Sequence, residues 1–184
     1  MSNLITRIED IAFEEILRST YETLNVECKG FLFGELKETK SRTTYYVESA
    51  HPIQLAIRCP NYIIYTEGSE RSDWKLYNEQ IGGYHSHPRG RVQENGIRKI
   101  EDGKVVPGKR DKRNLKEDQG KIEIITSLKR VKRKINLSEN PFIVSGYIDN
   151  NGEVYRFDMG SYVYNGRIRR CFVKVSPKAL RLVR

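Results

Sequence analysis

Cysteine is scarce in this chain: there are three, Cys28, Cys59 and Cys171, an odd number at wide spacing. That is neither a disulfide framework nor a paired-cysteine zinc knuckle, so reduced thiols in a reducing compartment are expected. Long apolar runs are also missing. None approaches the roughly 20 residues needed to span a bilayer. Glu9, Asp10, Glu14 and Glu15 interrupt the N-terminal stretch that a signal peptide would keep apolar. These absences predict a soluble, cytoplasmic protein with no membrane partner. Acidic residues are the minority charge, 24 against 33 Lys and Arg, for a formal net charge of +9.

What is present is enough to build a core. The 184 residues are 38% hydrophobic and include 11 Tyr, which excludes wholesale disorder. That length predicts one domain over residues 1–184. Phe13, Ile16, Leu17, Tyr21 and Leu24 fall at helical spacing and predict a helix from about Arg7 to Asn25. Lys29 to Leu36 carries two glycines among large apolar residues, which favours a buried strand. Further strands are expected over Thr43 to Ala50, Ile53 to Arg58, Ile81 to Ser86 and Ile122 to Leu128, with a weaker helix around Ser72 to Gln80. Phe142 to Ile148 and Glu153 to Phe157, joined through Asn150, Asn151 and Gly152, give the clearest hairpin signal. The order predicts an α/β fold, a mixed sheet with helices packed on it. Two stretches read as additions to that core. Residues 89–106 are polar and aperiodic, an inserted loop. Residues 159–184 form a basic C-terminal extension, with seven basic residues and no acidic one from Asn165 onward.

The segment richest in chemistry is Gly83-Tyr84-His85-Ser86-His87-Pro88, which holds two of the chain's three histidines. Residues two apart on a strand project to one face, so His85 and His87 can offer paired imidazoles to a metal. A catalytic zinc needs a third protein ligand and an open fourth position. Ser86, between them, is expected on the opposite face. Cys28 lacks a neighbouring histidine and reads as a buried thiol rather than a nucleophile. His51 reads as a surface or satisfied histidine, and Trp74 as a packing residue.

The motif resembles the core of the JAMM (JAB/MPN) metalloprotease family, whose signature joins an early Glu-x-x-Gly-x-Leu-x-Gly to His-x-His-Pro and then Ser-x-x-Asp. Glu27-Cys28-Lys29-Gly30-Phe31-Leu32-Phe33-Gly34 matches the first element in spacing and type. The order of parts is similar over most of residues 8 to 158. Pro107-Gly108-Lys109-Arg110-Asp111 has the shape of the third element, with Gly108 at the position of the family serine and the insert within 89–106 lengthening the spacing. A shifted alignment instead puts Asp111 at the serine and Asn114 at the ligand, and Glu101 and Asp102 are further carboxylates nearby.

The resemblance implies an MPN (cytidine-deaminase-like) curved mixed sheet with flanking helices and a late hairpin. It implies Zn2+ held by His85, His87 and Asp111, and Glu27 as the catalytic general base. The implied activity is that of a stand-alone, prokaryotic-type isopeptidase. It would cut the bond after the C-terminal glycine of ubiquitin or a ubiquitin-like protein. Gly108 lacks the hydroxyl that helps hold the oxyanion in the family, leaving Ser86, Arg110 or a backbone N–H as substitutes. The alternative is a non-catalytic MPN scaffold with a degenerate site that binds partners. Lys129 to Lys134 and the C-terminal tail predict an acidic protein partner at a basic surface. Nucleic acid is disfavoured, because no aromatic-rich motif interleaves with those charges.

Overall fold

Leu4, Ile5, Thr6 and Ile8 are too rich in β-branched side chains to begin a helix, and the chain opens with a strand. The computed structural model describes residues 3–24, 26–53, 56–58, 63–65, 80–87, 89–94 and 97–183; for 56–58, 63–65, 89–94 and 97–102 it describes the backbone. Strand β1 (Asn3–Ile8) pairs in parallel with β3 (Arg42–Pro52) on one side and β13 (Phe172–Val175) on the other. The expected helix from Arg7 therefore starts later, as α1 (Asp10–Glu22). Glu9 precedes it in extended conformation, and Asp10 in the first turn favours the helix dipole. The helix also stops early. Thr20 and Thr23 donate their hydroxyls to the carbonyls of Ile16 and Ser19, both at 2.7 Å, a back-bonding that weakens the last turn.

Lys29 to Leu36, predicted as a strand on its glycines, lies within β2 (Lys29–Glu38), which runs two residues further and is antiparallel to β3. A bulge at Phe33/Gly34 shifts the register, and Gly34 takes φ +148°. A Cβ there would lie 1.9 Å from the Tyr46 carbonyl oxygen, so only glycine allows the bend. After the short pair β4 (Ala56–Arg58) and β5 (Ile63–Tyr65) comes the histidine strand, β6 (Gly82–Ser86). The helix expected over Ser72 to Gln80, with Trp74, lies outside the described residues apart from Gln80 itself. Residues 89–106, expected to be a loop, contain an antiparallel hairpin, β7 (Arg89–Glu94) and β8 (Ile97–Asp102). Its strands carry few apolar residues because they pair with each other outside the main sheet, which explains the missing sequence periodicity.

Helix α2 (Lys109–Glu117) leads to β9 (Ile122–Val131), and the late hairpin is β10 (Ile143–Asn150) with β11 (Glu153–Tyr164). Asn151 and Gly152 both take positive φ in its turn. The stretch read as an appended tail is part of the fold. β12 (Ile168–Arg170) pairs with β11, and β13 completes the sheet beside β1. Helix α3 (Pro177–Leu180), capped by Ser176, closes the chain with a 3-10 turn over Arg181–Val183.

The resulting nine-stranded mixed sheet runs β10-β11-β9-β6-β2-β3-β1-β13, with β12 on β11. It curls until its ends meet. The Val173 N–H donates to the Pro141 carbonyl at 2.9 Å, and Phe142 stacks on Phe172 at 4.7 Å between centroids. The two hydroxyls of Thr6 and Ser161 bond at 2.8 Å. Helix α1 fills the concave face, where Phe13 meets Phe157 edge-on at 5.9 Å among Ile16, Leu32, Val47 and Ile124. Burying one such side chain contributes about 1.5–3 kcal/mol. A second, smaller core of Val105, Leu115, Ile125 and Tyr162 seats α2 on the outer face. The fold is thus a curved, nearly closed mixed α/β sheet with three helices among the described residues. None of them is long and apolar enough to cross a membrane.

Candidate metal centre

Side-chain alternation divides β6 between the two faces. Tyr84 points inward, where its hydroxyl lies 3.0 Å from Ser19 Oγ. His85 points outward, and β6 pairs in parallel with β9 so that His85 stands beside Ile125 of the outer core. Ser86 turns inward again and its Oγ accepts from the Cys28 N–H at 2.9 Å. Considered for the oxyanion, it is buried on the face opposite the imidazoles. His87 returns to the outer face, its N–H donating to the Thr126 carbonyl at 2.8 Å.

The outer face brings together His85, His87 and Asp111. The two Nε2 atoms are 3.0 Å apart. Asp111 sends Oδ1 to 3.4 Å from His85 Nε2 and Oδ2 to 3.2 Å from His87 Nε2. Tetrahedral coordination at bond lengths of about 2.0–2.1 Å sets neighbouring donor atoms about 3.3–3.4 Å apart. The two Asp111 distances, each to a different carboxylate oxygen, lie near that spacing, and the two imidazole nitrogens stand slightly closer together than it. Asp111 is held in place by its helix: it occupies the third position of α2, and its Oδ2 accepts from the Gly108 N–H at 2.6 Å. Buried Leu115, one turn on, locks α2 against Ile125 and Tyr162. Asp111, which the shifted alignment would put at the serine in favour of Asn114, is itself in the cluster, and the side chains of Glu101 and Asp102 lie outside the described residues.

The other nitrogen of each ring is also engaged. His85 Nδ1 lies 2.5 Å from Glu123 Oε1, and His87 Nδ1 lies 2.7 Å from the Lys104 carbonyl. A carboxylate and a carbonyl can only accept, so each Nδ1 carries the proton and each Nε2 turns its lone pair towards the other and towards Asp111. Metal-binding histidines are commonly fixed in this way. Lone pairs and a carboxylate converging at such distances repel unless a cation joins them. In the metal-free chain that cation is a proton. Burial opposes charging His85, but its bonds to Asp111 and Glu123 win and push its pKa up to about 10. The Asp111 carboxyl is held far below the ordinary range because its bonds to His85 and His87 outweigh its own burial.

Glu27 lies just before β2. Lys29 pairs with His85 in the antiparallel register, and Cys28 and Ser86 exchange hydrogen bonds. Two residues further back, Glu27 falls opposite His87 on the outer face. It is half-buried, and burial raises its pKa against the pull of His85 and His87. The donor set of two imidazoles and one carboxylate could hold a metal ion, and such a set is of the kind zinc accepts. A Cβ on Gly108 would sit 3.3 Å from Asp111 Oδ2, a tight contact that the carboxylate would have to relieve by a few tenths of an ångström.

Two participants had no visible signal in the sequence. Glu123 is one of 24 acidic residues, and only the parallel register of β9 on β6 brings it to His85. Lys104 acts through its backbone carbonyl, which any residue provides.

No family model and no curated protein matches the chain. Among solved structures, the solution structure of protein DSY2949 from Desulfitobacterium hafniense, Northeast Structural Genomics Consortium Target DhR27, is similar at TM-score 0.53 and 17% identity. The match covers 94% of this chain and 93% of that one. It is a likeness of fold.

Proposed function

We propose that the chain is a zinc-dependent peptidase or isopeptidase of the JAMM (MPN) type. It would hydrolyse the bond after the C-terminal glycine of ubiquitin or a ubiquitin-like protein. The observation that carries this reading is the convergence of His85 Nε2, His87 Nε2 and the Asp111 carboxylate, each backed by a partner that fixes its orientation. A zinc ion bound there supplies Lewis acidity, polarising a carbonyl and acidifying water from about 15.7 towards about 7. His85, His87 and Asp111 hold the ion. Glu27, its pKa raised by burial, takes a proton from the attacking water at its carboxylate and delivers it to the leaving amine. Gly108 contributes no hydroxyl to the oxyanion, which leaves this reading one donor short.

The hairpin β7–β8 belongs to this reading as the rim of the site, because the segment that follows it supplies the acceptor for His87. The scaffold alternative rests on Gly108, the one position where the family's chemistry loses a donor. A zinc assay paired with cleavage of a ubiquitin-like fusion separates the two. About one zinc per chain with cleavage supports the hydrolase. Zinc-free protein prepared without chelator, inert on every such fusion, leaves the scaffold.

A further inference from the structure

The outer face of the sheet continues past the metal centre into a groove. His87 lies beside Ser127 of β9, Ser127 pairs with Asp158 of β11, and Asp158 pairs with Ser145 of β10. Ser127 Oγ is buried and has no hydrogen-bond partner among the described residues. Beyond it opens a cavity of about 580 Å³, floored by Ser145, Arg156, Asp158 and Lys129, a size typical of ligand sites. Both walls are pinned by tyrosines. The Tyr162 hydroxyl donates to the Val105 carbonyl under residues 103–106. The Tyr147 hydroxyl lies 3.0 Å from both the N–H and the carbonyl of Ile135, holding the segment 135–140. Such walls are preformed, so binding costs little reordering.

The charge of the groove is positive. Among the described lining residues, Lys104, Lys129 and Arg156 stand against one carboxylate, Asp158. That carboxylate is already neutralised: Arg156 Nε lies 3.0 Å from Oδ2, and Ser145 Oγ donates to Oδ1 at 2.6 Å. Lys129 is half-buried and has no ion-pair partner among the described residues. Exposed apolar side chains face in from both walls, Val106 at 44% and Ile135 at 55% exposure.

We propose that this groove binds an extended acidic segment of a protein partner, with apolar residues interspersed, and leads it to the metal centre. Lys129 is the specificity-determining cation, and Val106 and Ile135 take the apolar side chains. The proposal rests on the hydrolase reading for what happens to the segment once bound, whereas binding itself does not require metal.

The test is fluorescence anisotropy of the purified full-length chain with fluorescein-labelled decapeptides of alternating Glu and Leu, or alternating Lys and Leu. The Glu–Leu peptide is expected to bind at least about tenfold more tightly, and its affinity to fall with salt as the Debye length shrinks from about 10 Å at 0.1 M to about 3 Å at 1 M. Lys129→Glu should cost about tenfold or more, through the like charge it creates against the peptide. Lys129→Gln, a gentler change, should lose less, and melting curves show that each variant is folded. Lys40→Glu, on the exposed turn between β2 and β3, should change nothing. Equal binding of both peptides, or equal losses from Lys40→Glu and Lys129→Glu, overturns the groove in favour of diffuse charge attraction. Zinc content and fusion cleavage are measured in parallel, so a chain that binds the acidic peptide without cutting refutes the hydrolase reading alone.

Discussion

In the proposed centre His85, His87 and Asp111 would hold the metal and Glu27 would act as base, and substitutions separate these roles. His85→Ala should abolish zinc retention, read by metal analysis of purified protein. Glu27→Gln should retain about one zinc per chain and lose about 10²–10⁴-fold in cleavage rate, the usual contribution of a general base. Glu123 touches only the far nitrogen of His85. Glu123→Gln should weaken zinc affinity by about 10–100-fold, measured by competition with a chelating dye, with circular dichroism showing that the fold is retained. Gly108→Ser introduces a hydroxyl at the cost of a tight Cβ contact with Asp111 Oδ2, at 3.3 Å. It should raise turnover, towards the 10²–10³-fold that one oxyanion donor is worth, with zinc content unchanged; a slower enzyme would argue that the backbone N–H groups already fill the site. The metal-free centre also has a pH signature. Because His85 has its pKa raised from 6.5 to about 10, the stability it lends is fully present below 6.5 and is lost as pH rises towards 10. Melting of the chelated protein should therefore decline over that window, and His85→Gln should flatten the slope.

At the scale of elements, the hairpin β7–β8 and the segment after it have different duties. The segment is fixed by Tyr162 and presents the Lys104 carbonyl to His87, whereas the hairpin strands pair only with each other in the sheet pattern. Replacing residues 90–101 by a short glycine-rich turn should keep zinc but change turnover on fusion substrates. Unchanged rates on every substrate would remove the hairpin from the rim of the site. The C-terminal turn is equally specific in its packing. A Cβ on Gly146 of β10 would lie 1.8 Å from the Val183 carbonyl oxygen. Gly146→Ala should destabilise by about 1–3 kcal/mol, a drop in Tm of about 2–4 °C per kcal/mol for a domain of this size.

For the molecule as a whole, the notable fact is that β1 and β13, from opposite ends of the chain, pair along four residues. Together they bring the far edge of the sheet back against Pro141 and Phe142. Truncation after Cys171 removes β13 and α3 and exposes the edge of β1. An unpaired edge of buried apolar residues invites association between chains, so the truncated protein should aggregate, read by light scattering, where the full chain stays dispersed.

Much of this architecture was legible in local sequence. The glycines and aromatics of β2, the alternation that puts His85 and His87 on one face, and the Asn151-Gly152 turn each answer to near-neighbour sterics, which act over a few residues wherever the segment sits. The start of α1 was misplaced because Arg7 and Ile8 suit a strand once β3 and β13 flank them. The loop assigned to 89–106 concealed a hairpin whose pairing leaves no apolar rhythm. The tail judged an appendage became the strand that completes the sheet, since its partner lies at the opposite end of the chain. Glu27, His85, His87 and Asp111 could be named from spacing and resemblance. Their convergence, Glu123 behind His85, the Lys104 carbonyl behind His87 and the groove beyond Ser127 depend on strand register and on backbone atoms that every residue shares. Those are properties of chain segments brought together from far apart, and only the folded sheet decides them.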